Sequence, residues 1–186
     1  MKKMKILAGV LVCVLSMPAL GMAEESWKEL NSQVIGLYQK NQITRALPIA
    51  QKALTQAEQQ YGPDSAETAL SLNNLALLYK KKKRYGEAKK NYERSLSIAE
   101  KIAGPQSPDV TVALNNLALL YEAQGDYAQA ETYSSRALNI LEASYGPKHP
   151  QVAAALERIA ALKRKAGKPL EVQALEERAQ AIKASR

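Results

Sequence analysis

The sequence is poor in the residues that build metal sites and disulfides: its 186 residues include one cysteine, one histidine and no phenylalanine. Cys13 and His149 lie on opposite sides of the cleavage point predicted below, so they cannot together form a metal cage or a Cys/His catalytic pair. No apolar run approaches the roughly 20 residues that a spanning helix needs, which excludes a multi-pass membrane protein. Because no cysteine follows Cys13, the rest of the chain must be stabilised by packing alone.

What the sequence does contain is enough apolar material for a packed core. Hydrophobic residues make up 46% of the chain and charged residues 24%, a balance that argues against intrinsic disorder. Lysine and arginine number 26 against 18 acidic residues, which gives a net charge of +8. Three of these lysines lie in the export signal predicted below, and its removal lowers the net charge by 3 to +5.

The N-terminal residues have the composition of a secretory signal. Met1–Lys5 is basic, Ile6–Ser16 is an apolar stretch of eleven residues, and Met17–Ala23 contains a proline followed by small residues. We therefore predict a signal peptide over residues 1–23, cleaved after Ala23, and export of the mature protein to a bacterial periplasm or to the medium.

Two alternatives to cleavage stay open. The segment could be an uncleaved anchor, although its apolar stretch has about half the length of a spanning helix. The protein could also be a lipoprotein, but Val12 precedes Cys13 where the lipid-attachment motif has a small residue. If cleavage occurs, no transmembrane span is expected in what remains.

The remainder of the chain repeats itself with a constant period. Gly62-Pro63, Gly104-Pro105 and Gly146-Pro147 recur at equal spacing, which defines a 42-residue period, and 11 of 18 positions are identical between segments 62–79 and 104–121. Self-similarity of this period indicates a repeat architecture. We predict a repeat domain over 24–186, with repeats at about 26–61, 62–103, 104–145 and 146–186.

Each repeat has the pattern of two helices. Leu72, Leu75, Ala76 and Tyr79 form one apolar stripe at i, i+3, i+4 and i+7, and the same stripe recurs one period later. Ser65, Ser107 and His149 occupy the positions expected of helix N-caps, and the Gly-Pro pairs end each repeat. No strand pattern occurs. The predicted helix pairs are 26–40 with 43–60, 65–82 with 85–102, 107–123 with 127–144, and 149–165 with 169–184.

These motifs resemble the tetratricopeptide-repeat (TPR) family, in the 42-residue form found in kinesin light chains. The resemblance rests on Leu-Asn-Asn-Leu-Ala-x-Leu-Tyr, Tyr-x-x-Ala and Gly-Pro-x-x-Pro, and it implies an all-α, right-handed superhelical array of about four helix-turn-helix units. The first repeat matches less well, since the spacing between Tyr38 and Ala46 is one residue shorter than that between Tyr79 and Ala88. The fourth has Lys163 in place of a tyrosine, which suits a terminal repeat.

In the family, the first helix of each repeat lines a concave groove that binds peptides. The resemblance places Asn73 and Asn115 there, where their amides could hydrogen-bond the backbone of an extended peptide. Alternatively, these asparagines cap or bridge adjacent helices. The groove residues implied in this way are Ser32, Gln33, Lys40, Asn73, Asn74, Leu77, Lys80, Lys81, Asn115, Asn116, Leu119, Glu122, Arg158, Ala161, Arg164 and Lys165.

The basic run Lys80–Arg84 has two interpretations. It could attract acidic peptides, anionic lipid or polysaccharide, or it could be a solvated helix end whose cations complement the helix dipole. It lacks interleaved aromatic residues, so nucleic acid is not an expected partner. His149 is expected to cap a helix, and Trp27 to anchor the N-terminal packing.

No Ser/His/Asp set, glycine-rich phosphate loop or metal-ligand spacing occurs, so we predict neither catalysis nor a cofactor or metal. The expected function is that of an exported scaffold that binds an extended, acidic segment of another protein in the concave groove. The alternative is an envelope-associated protein that binds anionic lipid or polysaccharide through the basic run. The oligomeric state is left open.

Overall fold

The computed structural model describes residues 25–185 as eight α-helices, two short 3-10 helices and, in this range, no strand. The helix pairs lie within a few residues of the predicted bounds, and the prediction of an all-α repeat array is confirmed. The predicted signal peptide lies outside the described residues. The α-helices are α1 (Trp27–Gln39), α2 (Ile43–Tyr61), α3 (Ala66–Lys81), α4 (Tyr85–Ala103), α5 (Thr111–Gln124), α6 (Tyr127–Tyr145), α7 (Pro150–Lys165) and α8 (Val172–Ala184), with 3-10 helices at Pro108–Val110 and Pro169–Glu171.

The first helical segment of every repeat begins at a capping side chain, and in the third repeat this segment is the 3-10 helix that precedes α5. Ser26 and Glu29 form a reciprocal capping box, and Ser65 accepts a hydrogen bond from the backbone N–H of Thr68. Ser107 and His149 cap the segments that start at the following prolines, as predicted. Because these caps satisfy N–H groups that the helix itself cannot, they fix where each repeat starts.

The turn between the two helices of each repeat needs one residue with positive φ. That residue is Asn41 in the first repeat, Lys83 in the second, Gly125 in the third and Gly167 in the fourth, with φ values between 54° and 79°. Successive members of this set are one period apart, so the backbone keeps its geometry even where glycine is missing. Lys83, inside the basic run, therefore occupies a conformation that disfavours side chains.

The core is built from the predicted stripes. Leu72, Leu75, Ala76 and Tyr79 are all buried, as are their counterparts in the third repeat. The equivalent Ala88 and Ala130 on the second helices have no exposed surface, as expected where two helices approach closely. Each helix packs mainly on the helices before and after it along the chain.

The second helices are also joined on their surface by a series of ion pairs. Arg94 lies 2.6 Å from Glu58, and Arg136 lies 2.6 Å from Glu100. Arg178 pairs with Glu142 in the same way. The three pairs have the same separation along the chain and recur with the repeat period, and each partly exposed pair contributes about 0 to 1 kcal/mol.

The register of the first repeat differs from the prediction by one residue. The left-handed residues Asn41 and Lys83 are one period apart, as are the buried Ala46 and Ala88. Leu37, and not Tyr38, is therefore the counterpart of Tyr79. The sequence alignment paired Tyr38 with Tyr79 because this position of the repeat usually holds an aromatic residue. In the first repeat the position holds Leu37 instead.

The fourth repeat replaces aromatic packing by an ionic cluster. Lys163 stands where the second and third repeats have Tyr79 and Tyr121, and its side chain is only 11% exposed. Its Nζ lies 2.5 Å from a carboxylate oxygen of Glu131 and 2.5 Å from one of Glu171. Its hydrogen bonds, chiefly the one to Glu131 and also the one to Glu171, raise the pKa of Lys163.

Candidate peptide-binding groove

The predicted groove residues lie on the four first helices α1, α3, α5 and α7 or at their ends. Lys40 follows α1 directly, at the turn, where it is the counterpart of Lys82. Gln33 donates a hydrogen bond to Glu25, outside the set. Half-buried members are Asn73, Asn74, Leu77, Lys80, Asn115, Asn116, Glu122, Arg158 and Ala161, and exposed members are Ser32, Gln33, Lys40, Lys81, Leu119, Arg164 and Lys165.

The asparagines form hydrogen bonds between neighbouring first helices. Nδ2 of Asn74 donates to Oδ1 of Asn31 at 3.0 Å, and Nδ2 of Asn116 donates to Oδ1 of Asn73 at 2.8 Å. These are the bridges that the alternative interpretation expected, and each joins residues 43 apart. An amide has further donors and acceptors, so bridging leaves hydrogen-bonding capacity for a ligand. Asn31 was missed because of the register of the first repeat.

Two apolar cavities lie beside these asparagines. One, of about 200 Å³, lies between α1 and α3 and includes Ile35, Tyr38, Asn74 and Leu77 in its lining. The other, of about 150 Å³, is lined by residues of α3, α4 and α5 and by Asp109.

The walls of these cavities carry several apolar side chains that are open to solvent. Ile35 is 50% exposed, Leu70 46% and Val112 63%. Sequence reasoning named none of the three as groove residues. The signal was available, because Leu70 and Val112 are one period apart, as are Ile35 and Leu77.

The groove cations are partly neutralised by carboxylates. Lys165 lies 2.6 Å from Glu122, whereas Arg164 pairs with Glu176 of α8. Glu157 pairs with Lys183, also of α8. The sequence predicted an excess of positive charge along the whole groove wall. Because carboxylates neutralise some of these cations, the excess is limited to fewer side chains.

The basic run does not form a single patch. Nζ of Lys81 lies 5.6 Å from the centre of the Tyr38 ring, and Nζ of Lys82 donates to Thr44 at 3.0 Å. Arg84 donates through Nε to Glu87 at 2.8 Å. Lys80 and Lys81 lie in the last turn of α3, where cations complement the dipole. This distribution fits the helix-end interpretation better than a surface for lipid or polysaccharide.

His149 and Trp27, which the sequence predicted to have structural roles, both contact neighbouring side chains or backbone. His149 accepts a hydrogen bond at Nδ1 from the N–H of Gln151 and stacks on Tyr145. Trp27 donates to Ser71 at 2.8 Å and packs edge-on against Tyr61.

Over residues 25–185 no three His, Cys, Asp or Glu side chains are placed to hold a metal ion. Nor does any helix in that range have the length and apolar character needed to cross a bilayer.

Comparison with known proteins gives one family and several similar structures. BtubC (BKLC) from P. vanneervenii has a TM-score of 0.76 at 24% identity, over 86% of this chain and 63% of its own. A candidate kinesin light chain from Podosopora anserina, with nearly identical TPR-like repeats, has a TM-score of 0.75 at 19% identity, over 86% of this chain and 75% of its own. At these identities the likeness shows the fold alone. No curated protein matches the chain. The family model for the tetratricopeptide repeat matches residues 35–101 and 109–185, and the chain therefore belongs to the tetratricopeptide-repeat family.

Proposed function

We propose that this protein is an interaction scaffold that binds an extended segment of a partner protein along its first helices. The observation that carries the proposal is the wall itself: exposed apolar side chains and half-buried amides recur on it at the repeat spacing. Tetratricopeptide repeats are in general protein-interaction scaffolds rather than enzymes.

The chemistry of the wall suggests how a segment would bind. Apolar side chains of the partner would fill the cavities beside Ile35 and Val112, where burial of exposed apolar surface supplies free energy. The spare hydrogen-bonding capacity of Asn73 and Asn74 would serve the backbone of the segment. Unneutralised cations at Lys80 and Lys81 would favour an acidic partner and speed its association.

We also propose that this protein is exported and binds its partner outside the cytoplasm. The proposal rests on the signal-like composition of residues 1–23. N-terminal sequencing of the exported protein should begin at Glu24. An intact Met1 in the membrane pellet would contradict cleavage.

A matched pair of substitutions tests the groove. Val112 on α5 is 63% exposed, and Ile102 on α4, outside the predicted groove set, is 56% exposed. The immobilised protein would first capture partners from an envelope fraction, and the partner would then be titrated against both variants. Val112→Ser should weaken binding roughly tenfold, because a buried valine contributes about 1.5 kcal/mol. Ile102→Ser should leave affinity unchanged. Equal affinity in both variants would place the binding surface elsewhere.

A further inference from the structure

The cavity between the second and third repeats, of about 150 Å³, has a carboxylate at its rim. Ser95 and Ala99 of α4 are buried and half-buried, and they form its inner wall. The lining side chains that are most open to solvent are Leu70, Val112 and Asp109, and they form its rim. The cavity is therefore an apolar hollow with one ionisable group at its opening.

Small side chains leave this space open at the junction of the second and third repeats. Ala69 lies one period after Trp27, and Ala99 lies one period before the buried Leu141. Each neighbouring junction thus has a large side chain at one of these two positions. The fourth repeat also has Gln151 at the position of the carboxylate. The combination of small walls and a carboxylate therefore belongs to this junction and not to its neighbours.

The negative charge of Asp109 is not neutralised within residues 25–185. Its backbone N–H donates to Oγ of Ser107, but its carboxylate accepts no hydrogen bond and forms no ion pair in that range. Lys80 lies ten residues beyond Leu70 on α3, about 15 Å along the helix, so its charge is largely screened from this end of the groove. The helix dipole favours a carboxylate at the start of a first helix. It does not account for the apolar cavity beside that carboxylate.

We propose that this cavity binds one long basic side chain, lysine or arginine, of the segment that lies in the groove. The inference rests on the proposed function and adds a residue type that the segment must carry. Both side chains bury their methylene stems against apolar surface and keep the charged head in water. The stem would lie against Leu70 and Val112 and would be the apolar group that fills the cavity. The head would donate a charge-assisted hydrogen bond to Asp109.

Four alanine-based peptides with blocked ends test the site. Each carries one central residue, which is lysine, arginine, norleucine or glutamate, and norleucine has the stem of lysine without its charge. The peptides would be titrated into the protein with labelled methyl groups, and the resonances of Leu70 and Val112 would be followed by NMR. We expect at least one basic peptide to bind more tightly than the norleucine peptide, and the glutamate peptide to leave the resonances unchanged. The tighter of the two basic peptides identifies the preferred residue.

Two variants separate the charge from the cavity. Asp109→Asn keeps the size of the rim side chain and should weaken the basic peptides about three- to tenfold, between the values for an exposed ion pair and a buried charged hydrogen bond. It should leave the norleucine peptide unchanged. Ala99→Leu introduces the residue that the third repeat has at this position. Because leucine would fill the space of the stem, it should weaken the lysine and norleucine peptides alike.

The matched control is Asp126→Asn in the same repeat. Asp126 is exposed and caps α6 by accepting a hydrogen bond from the N–H of Gln129. Asparagine also caps helices well, so this variant removes the same charge away from the cavity and preserves the cap. It should bind all four peptides as the unchanged protein does. Thermal melts would confirm that every variant folds.

The outcomes distinguish the basic subsite from the groove. The subsite is wrong if Asp109→Asn binds the basic peptides as tightly as the unchanged protein, if norleucine binds as tightly as both, or if no peptide shifts the methyl resonances at millimolar concentration. If the captured partner then still responds to Val112→Ser, the proposed function stands without this subsite. If the basic peptides respond to Asp109→Asn but the partner does not respond to Val112→Ser, the cavity binds basic side chains and the groove proposal fails.

Discussion

Helices α6 and α8 occupy the same place in consecutive repeats but are held by different forces. Helix α6 packs against α5 and α7, and its buried side chains include Leu138, Ile140 and Leu141. Helix α8 packs mainly against α7 and reaches α6 at its edge, and its buried side chains are Val172, Ala179 and Ile182. An interior helix is covered on both sides, whereas a terminal helix has one face open to water.

Ion pairs replace part of the missing apolar contact in the fourth repeat. Lys183 pairs with Glu157, and Arg164 pairs with Glu176. The residues one period before Lys183 and Glu176 are uncharged, so these two pairs have no counterpart in the third repeat. Exposed pairs of this kind contribute about 0 to 1 kcal/mol each and are screened by salt. The comparison teaches that the array has an apolar interior and a C-terminal end that depends more on charge, so unfolding should start at α8.

The largest effect should come from two equivalent isoleucines. Ile140 of α6 and Ile182 of α8 are one period apart and are both buried. Ile140→Ala should cost about 2 to 5 kcal/mol and lower the stability of the whole array, because a cavity opens between covered helices. Ile182→Ala should cost less and affect hydrogen exchange in α8 alone. Equal losses in denaturant unfolding would remove the distinction between interior and end.

Overpacking offers a second test of the same comparison. Ala118 of α5 and Ala160 of α7 are equivalent, and neither has exposed surface. Ala118→Leu should cost about 1 to 3 kcal/mol, because the surrounding helices cannot move apart without disturbing both neighbouring repeats. Ala160→Leu should cost less, since α8 can shift outward. A thermal melt of each variant measures this, and a larger loss at Ala160 would contradict the idea of a yielding end.

The ionic cluster of Lys163 should make the end of the array sensitive to pH. The pKa of Lys163 is raised from 10.5, so its contribution is complete below pH 10.5 and is lost as pH rises through the higher value in the folded protein. Hydrogen bonding from Lys163 lowers the pKa of Glu171 from 4.5, so that contribution is present above pH 4.5 and is lost as pH falls through the lower value.

Substitution of the lysine tests this dependence. Lys163→Ala should cost about 1 to 3 kcal/mol at neutral pH, as expected when hydrogen bonds to charged groups are lost. The difference from the unchanged protein should shrink toward both pH extremes. Denaturant unfolding across this range, followed by exchange of α8 amides, would show it. A constant difference at all pH values would mean that packing of the lysine stem, and not its charge, is what matters.

The fold could be predicted because the repeats preserve it residue by residue. Identity between segments 62–79 and 104–121 defined the period, and caps such as Ser65 and His149 indicated where first helices start. The one misalignment, at Tyr38, arose where leucine replaces the aromatic residue that defines the pattern.

The partners of individual side chains could not be predicted in the same way. Asn73 bonds with Asn116, one residue beyond the repeat period, and Arg136 pairs with Glu100, which falls short of a full period. These offsets depend on how successive repeats rotate against each other, which the period alone does not give. Arg158 is an example: the family resemblance placed it in the groove, but only the structure shows that its Nε donates a hydrogen bond to Ser134 of α6.

The smallest expected effect comes from substitutions in the turns between the two helices of a repeat. They test whether turn geometry or helix packing makes the C-terminal end less stable than the interior. The first two repeats close their turns with Asn41 and Lys83, and the last two with Gly125 and Gly167, all at positive φ. Lys83→Gly should stabilise the protein by about 0.5 to 1 kcal/mol, because glycine adopts this conformation without the clash of a side chain. Gly125→Lys should destabilise it by a similar amount. The two substitutions change the stability of interior turns in opposite directions and do not touch α8. Hydrogen exchange of the α8 amides should therefore be the same in both variants. If instead α8 became more protected in Lys83→Gly, the end would be coupled to the interior through the turns, and the weak terminal packing would not by itself explain where unfolding starts.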